Sequence, residues 1–284
     1  MTKIGFLIDL DGTLYRGHSV IPHAADWIVQ LRRLHIPFLF VTNNSSRTAA
    51  QVAEHLNELG IQAQEDEVMS SAMATASYLK QTITGRKAFI IGEQGLKDAM
   101  IANGFVLTED QPDVIVSGLD RSISYEKYTV AVRAILNGAI FVMTNPDQLL
   151  PSDQGFLPGS GAIASVIRTA TGVQPTIIGK PSPILMNAAL EKLSMSAREV
   201  WAVGDHILTD IEAGVAVGCP TLLVLTGVAQ KGQLDTWYAQ TNARPDVIMD
   251  DLSQLVSFFS TLAVNEDPSI AIRAMLDDCC VLAE

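Results

Sequence analysis

The run Ile4-Gly5-Phe6-Leu7-Ile8, cut off by Asp9-Leu10-Asp11-Gly12-Thr13, constrains this chain's fold most. An unbroken apolar stretch does not suit a half-solvated surface, so it reads as a strand buried on both faces, the habit of parallel sheets. The Asp-x-Asp-Gly-Thr turn brings two carboxylates to the strand's carboxyl end, where open α/β sheets bind their ligands. Carboxylates this close repel one another, and oxygen donors of this kind suit Mg²⁺. With a cation held there, one carboxylate can attack an electrophile while the other handles a proton. Taken alone, the pair also fits a helix cap beside a solvent-facing aspartate.

The pattern recurs along the chain. Phe38 to Thr42, Lys87 to Ile91, Val114 to Ser117, Phe141 to Thr144, Val200 to Val203 and Thr221 to Leu225 are further buried-strand candidates. Between them, Ala24 to Leu34, Thr48 to Leu59, Tyr125 to Leu136, Ile184 to Leu193 and Thr209 to Val217 carry apolar residues at helical spacing. Alternation of this kind predicts βαβ units, parallel sheets and right-handed crossovers. Short turn-forming stretches at Thr82 to Arg86 and Thr171 to Pro175 bracket a segment with its own strands and helices.

At 284 residues, with 48% hydrophobic and 18% charged residues, the chain can bury a large core. Its net charge of -12 argues against non-specific nucleic-acid binding, which needs a basic surface. Any phosphate site must then be built locally from lysine, backbone N–H groups and metal. Cys219, Cys279 and Cys280 form neither a Cys-x-x-Cys motif nor an even framework, so a reducing cytoplasm is expected. No basic leader followed by an apolar stretch opens the sequence, and no apolar run nears membrane-spanning length.

Three more clusters sit where strands end. Thr42-Asn43-Asn44-Ser45 offers a hydroxyl, amides and the N–H groups of the following helix, an anion site that is also an ordinary helix cap. Gly179-Lys180-Pro181 places a lysine after Thr176 to Ile178. Gly204-Asp205-His206-Ile207-Leu208-Thr209-Asp210 adds two carboxylates. His18, His23, His35 and His55 share no ligand spacing, and Trp27, Trp201 and Trp237 lie in apolar contexts suited to packing.

In this order, the four clusters resemble the haloacid dehalogenase superfamily of phosphatases, subfamily IIA, in its NagD-like, p-nitrophenyl-phosphatase-like branch. Ser117-Gly118-Leu119-Asp120-Arg121, Thr144-Asn145-Pro146-Asp147 and Pro158-Gly159-Ser160-Gly161 are similar to that branch's cap signatures. His206 departs from it, standing where relatives commonly carry Asn. The resemblance implies a doubly wound, Rossmann-like parallel core from residues 1–85 and 176–263. It also implies an inserted α/β cap of the C2 type over 86–175; the apolar spacing from Ile270 to Leu276 predicts a C-terminal helical tail, 264–284, which has no counterpart in the family pattern.

The same resemblance assigns roles. Asp9 would be the nucleophile, giving an aspartyl-phosphate, and Asp11 the acid and base. Mg²⁺ would be held by Asp9, the main-chain carbonyl of Asp11 and Asp205, with Asp210 orienting the site. Gly12, Thr42, Asn43, Asn44, Lys180 and His206, together with Asp11, would meet the phosphate. The expected partner is a small phosphomonoester, with no nucleic acid and no membrane; a homodimer is left open. Few charges lie between Thr144 and Gly161, namely Asp147 and Asp153, a poor match for strongly anionic leaving groups. Sugar phosphates or nucleoside monophosphates are therefore expected, with p-nitrophenyl phosphate in vitro. Phosphoglycolate or pyridoxal phosphate are the alternative substrates, and a catalytically weak phosphate-ligand binder of the same fold is the alternative class.

Overall fold

The computed structural model describes residues 4–152, 155–263 and 268–280. Its larger sheet has six strands: β1 (Gly5–Ile8), β2 (Phe38–Thr42), β3 (Val68–Ser70) and, from the far end of the chain, Val200–Gly204, Thr221–Val224 and Val247–Met249. Their spatial order runs Val247–Met249, Thr221–Val224, Val200–Gly204, β1, β2, β3. Every pairing with a described register is parallel, including Gly5 with Val200, Ile8 with Val203 and Phe6 with Phe38. The chain thus winds outward from β1 in one direction and returns to build the other half. The reversal between β1 and Val200–Gly204 is the topological switch point at which such sheets place ligands.

Burial explains why these strands read as continuous apolar runs. All four residues of β1 and all five of Val200–Gly204 are buried. Phe6 meets Trp27 of helix Ala24–Arg33 edge-on, with ring centroids 5.5 Å apart, and Phe259 of helix Ser253–Thr261 at 6.2 Å. Full burial of one such side chain stabilises by about 1.5–3 kcal/mol. The helix Ser269–Cys280 rests against Val247–Met249 and buries Ile272 and Leu276, so the described part of the expected tail has a packed face.

A second, five-stranded parallel sheet has the order Thr176–Ile177, Ile140–Met143, Val114–Ser117, Lys87–Ile91, Val106–Leu107. Phe89, Ile91, Ile115, Phe141 and Met143 point to one face and pack on Ala131 and Ile135 of helix Tyr125–Leu136 and Ile163 and Ile167 of helix Ser160–Thr171. An antiparallel hairpin pairs Leu149–Ser152 with Gly155–Pro158, the second strand exposed throughout.

The chain divides into two compact units, Met1–Val41 with Ala53–Val68 and Met186–Glu284, and Thr42–Val52 with Met69–Leu185. Residues 86–175 fall wholly inside the second unit. That unit also takes in Thr176–Ile177, the fifth strand of its sheet.

Candidate active site

In the first unit, the ladder between β1 and Val200–Gly204 carries on one step past β1, with the Asp9 N–H donating to the Val203 carbonyl at 2.9 Å. Parallel pairing therefore puts Asp9 and Asp205, remote in sequence, at the ends of neighbouring strands. Oxygens of Asp9, Asp205 and Asp210 lie within 4.8 Å of one another; Asp205 and Asp210 are buried and Asp9 is half-buried. The carboxylate of Asp11 is not part of this group.

Asp205 and Asp210 are held by close backbone packing. The Asp205 carboxylate accepts the Val228 N–H at 2.5 Å. A Cβ on Gly227 would lie 1.8 Å from Asp205 Oδ2, and one on Gly12 2.3 Å from the same atom, so only glycine leaves room at either position. Gly12 also has φ of 92°, in the left-handed region. The loop carrying it is fastened by the Thr226 hydroxyl, which donates to the Gly12 carbonyl at 2.7 Å, and by the Arg16 guanidinium, which donates to the Thr226 carbonyl. Thr13 donates to Asp9 Oδ2 at a long 3.4 Å.

Asp210 stands on a π-helical turn, Ile207–Ile211, which runs into helix Glu212–Val217. Such turns widen the backbone and collect at functional sites. Here the turn lets Asp210 Oδ2 accept the His206 N–H at 3.1 Å, against a glycine, Gly204, whose Cβ would lie 2.3 Å from Asp210 Cβ. His206 caps the turn: its Nδ1 accepts the Leu208 N–H at 3.1 Å, and its ring packs on Trp237 at 5.0 Å.

Asp11 reaches solvent on one side, but protein atoms crowd the other, and this desolvation pushes its carboxyl above the ordinary range. The charges of Arg16 and His55 oppose the shift. His55 stacks edge-on against Tyr15 at 5.1 Å, so a histidine that the sequence suggested was structural lies in the surroundings of Asp11.

In the second unit, Thr42 ends β2 and is buried; its hydroxyl oxygen accepts the Asn44 N–H at 3.1 Å, which leaves its O–H as a donor. The Asn44 side-chain oxygen accepts from the Ser46 N–H and hydroxyl, both at 2.8 Å, so its carbonyl holds the turn. Lys180, 3% exposed, follows Gly179, whose N–H continues the sheet by donating to the Thr144 carbonyl at 2.7 Å. The Asn43 side-chain amide brackets the Lys180 backbone, with Oδ1 accepting its N–H at 2.8 Å and Nδ2 donating to its carbonyl at 3.0 Å. Nδ2 also donates to both Asp147 carboxylate oxygens at 3.3 Å.

The Asn43–Asp147 link and the Gly227–Val228 support of Asp205 were both missed by reading motifs. A glycine after strand Thr221–Val224 was the available signal for the second; the first has none, because it joins residues far apart in sequence. Asp153 lies outside the described residues. Of the cysteines, burial pushes the Cys219 thiol up to about 12, and burial and Asp278 raise that of Cys279, so neither is poised as a nucleophile. Among the described residues, no helix is long and apolar enough to cross a membrane.

Comparison with known proteins agrees with this geometry. The haloacid dehalogenase-like hydrolase family matches residues 6–106, and the HAD-hydrolase-like family matches 177–255. The chain is 44% identical to an acid sugar phosphatase of Staphylococcus saprophyticus over 88% of its own length and 96% of the relative's. It is 41% identical to the 5'-nucleotidase YutF of Bacillus subtilis, over 90% and 99%. Among solved structures, the p-nitrophenyl phosphatase from Archaeoglobus fulgidus superposes with a TM-score of 0.84 at 34% identity, covering 90% of this chain and 99% of that one. Strand-end carboxylates, sheet order and these relatives converge: the chain belongs to the haloacid dehalogenase-like hydrolases, in their NagD-like, p-nitrophenyl-phosphatase-like branch of phosphatases.

Proposed function

We propose that this phosphatase hydrolyses small phosphomonoesters in a Mg²⁺-dependent reaction through an aspartyl-phosphate on Asp9. The observation that carries the reading is the convergence of Asp9, Asp205 and Asp210 oxygens within 4.8 Å at the switch point of the sheet. An all-oxygen, three-carboxylate donor set fits a small hard dication and does not suit a soft metal. Asp9 and Asp205 would hold it, with the Asp11 main-chain carbonyl, while Asp210 braces the His206 backbone beside Asp205. Once bound, the cation offsets the carboxylates' repulsion and neutralises charge on the phosphoryl group.

The chain's own groups do the rest. An Asp9 oxygen attacks phosphorus, and the P–O bond to the leaving group breaks. Asp11 gives its proton to the departing oxygen, a task favoured by the desolvation that keeps its carboxyl protonated to higher pH. The same carboxylate then takes a proton from water as that water attacks the aspartyl-phosphate, which regenerates Asp9 and releases phosphate. Thr42 through its free O–H, the Gly12 and Asn43 backbones and Lys180 supply positioning and charge to the phosphoryl oxygens. Asn44 and His206 would serve through the backbone they hold.

The substrate reading is a sugar phosphate or a nucleoside monophosphate, the activities named in the staphylococcal and Bacillus relatives. The exposed hairpin with Leu149, Phe156 and Leu157 supports a leaving group without strong negative charge. Residues 86–175 are proposed as the cap that selects it, 1–85 with 176–263 as the catalytic core, and 264–284 as an appended tail. The free thiol of Cys219 fits a cytoplasmic setting.

The test is phosphate release from sugar phosphates, nucleoside monophosphates, phosphoglycolate, pyridoxal phosphate and p-nitrophenyl phosphate, with Mg²⁺ and with EDTA. Metal-dependent release is expected, strongest for the first two classes. Absence of release from every ester would sink the reading.

A further inference from the structure

The strongest unassigned feature is the carboxylate of Asp147. It lies four residues beyond strand Ile140–Met143, in the segment Thr144-Asn145-Pro146-Asp147. Thr176–Ile177 pairs in parallel with Ile140–Met143, so the chain leaving each strand emerges at the same carboxyl end of the sheet. One chain leads to Asp147 and the other to Lys180. Asn43 joins them.

An amide side chain has one oxygen acceptor and two N–H donors. In Asn43 the oxygen takes the Lys180 N–H, and Nδ2 serves the Lys180 carbonyl and the Asp147 carboxylate. Asn43 therefore grips Lys180 much as a neighbouring strand would, and the Asp147 carboxylate favours the same amide orientation as the Lys180 backbone does. With the oxygen and nitrogen exchanged, oxygen would face the carboxylate and the Lys180 carbonyl, and nitrogen would face the Lys180 N–H. The assembly is supported from behind: the Asn43 carbonyl accepts from the Ser71 hydroxyl at 2.6 Å and from Asn145 Nδ2 at 2.8 Å, and the Asp147 N–H reaches Asn145 Oδ1 at 3.3 Å. Gly179 is needed, since a Cβ there would lie 2.5 Å from Asn43 Oδ1.

We propose that Asp147 is a positioning residue that acts through the Asn43 amide to fix the backbone of Lys180, and with it the lysine's ammonium against phosphoryl oxygens. This rests on the phosphatase reading for the lysine's role. It removes Asp147 from the groups that would sense the leaving group.

The experiment is a double-mutant cycle of Asp147→Ala with Lys180→Ala. The readouts are kcat/KM for p-nitrophenyl phosphate and for a sugar phosphate, and orthophosphate affinity by calorimetry. Asp147→Ala should lower kcat/KM about 10- to 100-fold, the usual effect of losing an orienting partner. The factor should be the same for both leaving groups, and orthophosphate affinity should fall in parallel. Adding Asp147→Ala to Lys180→Ala should change little. Asp147→Asn, which keeps an oxygen acceptor for Asn43 Nδ2, should recover most of the loss. If Asp147→Ala does not fold, Asn43→Asp, which replaces the shared donor with an acceptor, should show the same non-additivity with Lys180→Ala. Additive losses, or a loss that depends on the leaving group, would overturn the proposal. If the wild type released no phosphate from any ester, the phosphatase reading would fail, but the orthophosphate cycle would still decide whether Asp147 acts through Lys180.

Discussion

The acidic cluster of the first unit and the lysine-centred network of the second are built by opposite means. In the acidic cluster, Asp205 and Asp210 are crowded by backbone: Gly12, Gly204 and Gly227 come so close that a methyl group could not fit, and main-chain N–H groups of Val228 and His206 meet the carboxylates. Around Lys180 the supports are side chains, Asn43, Asn145, Asp147 and Ser71. Charges that repel must be placed by a scaffold that cannot yield, whereas a single cation can be aimed by a web of hydrogen bonds. Substitutions should therefore act as steps in the first region and as gradations in the second.

The largest effect should come from Asp9→Asn. Loss of the covalent route is expected to lower kcat by on the order of 10⁴-fold or more. Circular dichroism and the melting temperature should stay near the wild type; an active Asp9→Asn enzyme would mean that the nucleophile lies elsewhere. Next comes Lys180→Ala, expected to cost about 10²–10³-fold in kcat, the range for removing one preorganised charge partner. Steady-state kinetics with p-nitrophenyl phosphate would measure it.

Gly227→Ala tests whether crowding matters in the acidic region. The added methyl must displace the Asp205 carboxylate, so Mg²⁺ affinity should weaken about 10- to 100-fold while the sheet survives. Calorimetric titration with Mg²⁺ checks this, and an unchanged affinity would show that the contact relaxes freely. In the wild type, Mg²⁺ at a hundredfold excess over its Kd should stabilise by about 2.7 kcal/mol. Thermal melts should show the gain shrinking as pH falls, because protons compete for the same oxygens.

The smallest effect is a change of sign at Asp11. Desolvation raises this carboxyl, and Arg16 and His55 only partly offset it, so the native state binds its proton more tightly than the unfolded chain does. Its contribution to stability is present below the unfolded value and is lost as pH rises through the folded one. Asp11→Asn should therefore melt slightly higher than the wild type in EDTA at neutral pH, and the difference should vanish in acid. Turnover should fall at all pH values for want of the acid and base. A lower melting temperature at neutral pH would show that the ionised form is favoured by the fold.

Strands buried on both faces were legible in the sequence almost to the residue. Phe38–Thr42, Lys87–Ile91 and Val114–Ser117 each carry an unbroken apolar run with a single polar residue at one end, the signal that such burial requires. Helix Tyr125–Leu136 was legible for a related reason, since Ser124 caps it and its apolar spacing is regular. Thr209 to Val217 looked like one helix, but backbone widening over Ile207–Ile211 leaves no periodic trace. The hairpin at Leu149–Ser152 and Gly155–Pro158 escaped notice because its second strand is exposed throughout and follows no burial rhythm. The candidate site divides in the same way. Its acidic residues stand in short motifs at strand ends, whereas Asp147 takes its meaning from Asn43 and Lys180, which only the folded chain brings to it.

The pairing of Gly5 with Val200 has a consequence for how the molecule is made. During synthesis β1 can find β2 early, yet its other edge must wait until most of the chain has emerged, and closing so long a loop is slow. Until then β1 offers an apolar strand with one open side, the kind of surface on which nascent chains stick to one another. The proposed metal site cannot form at that stage, because Asp205 has not yet arrived. Chaperone demand should thus be highest just before the strand Val200–Gly204 appears, and metal should matter only after Asp205 has emerged.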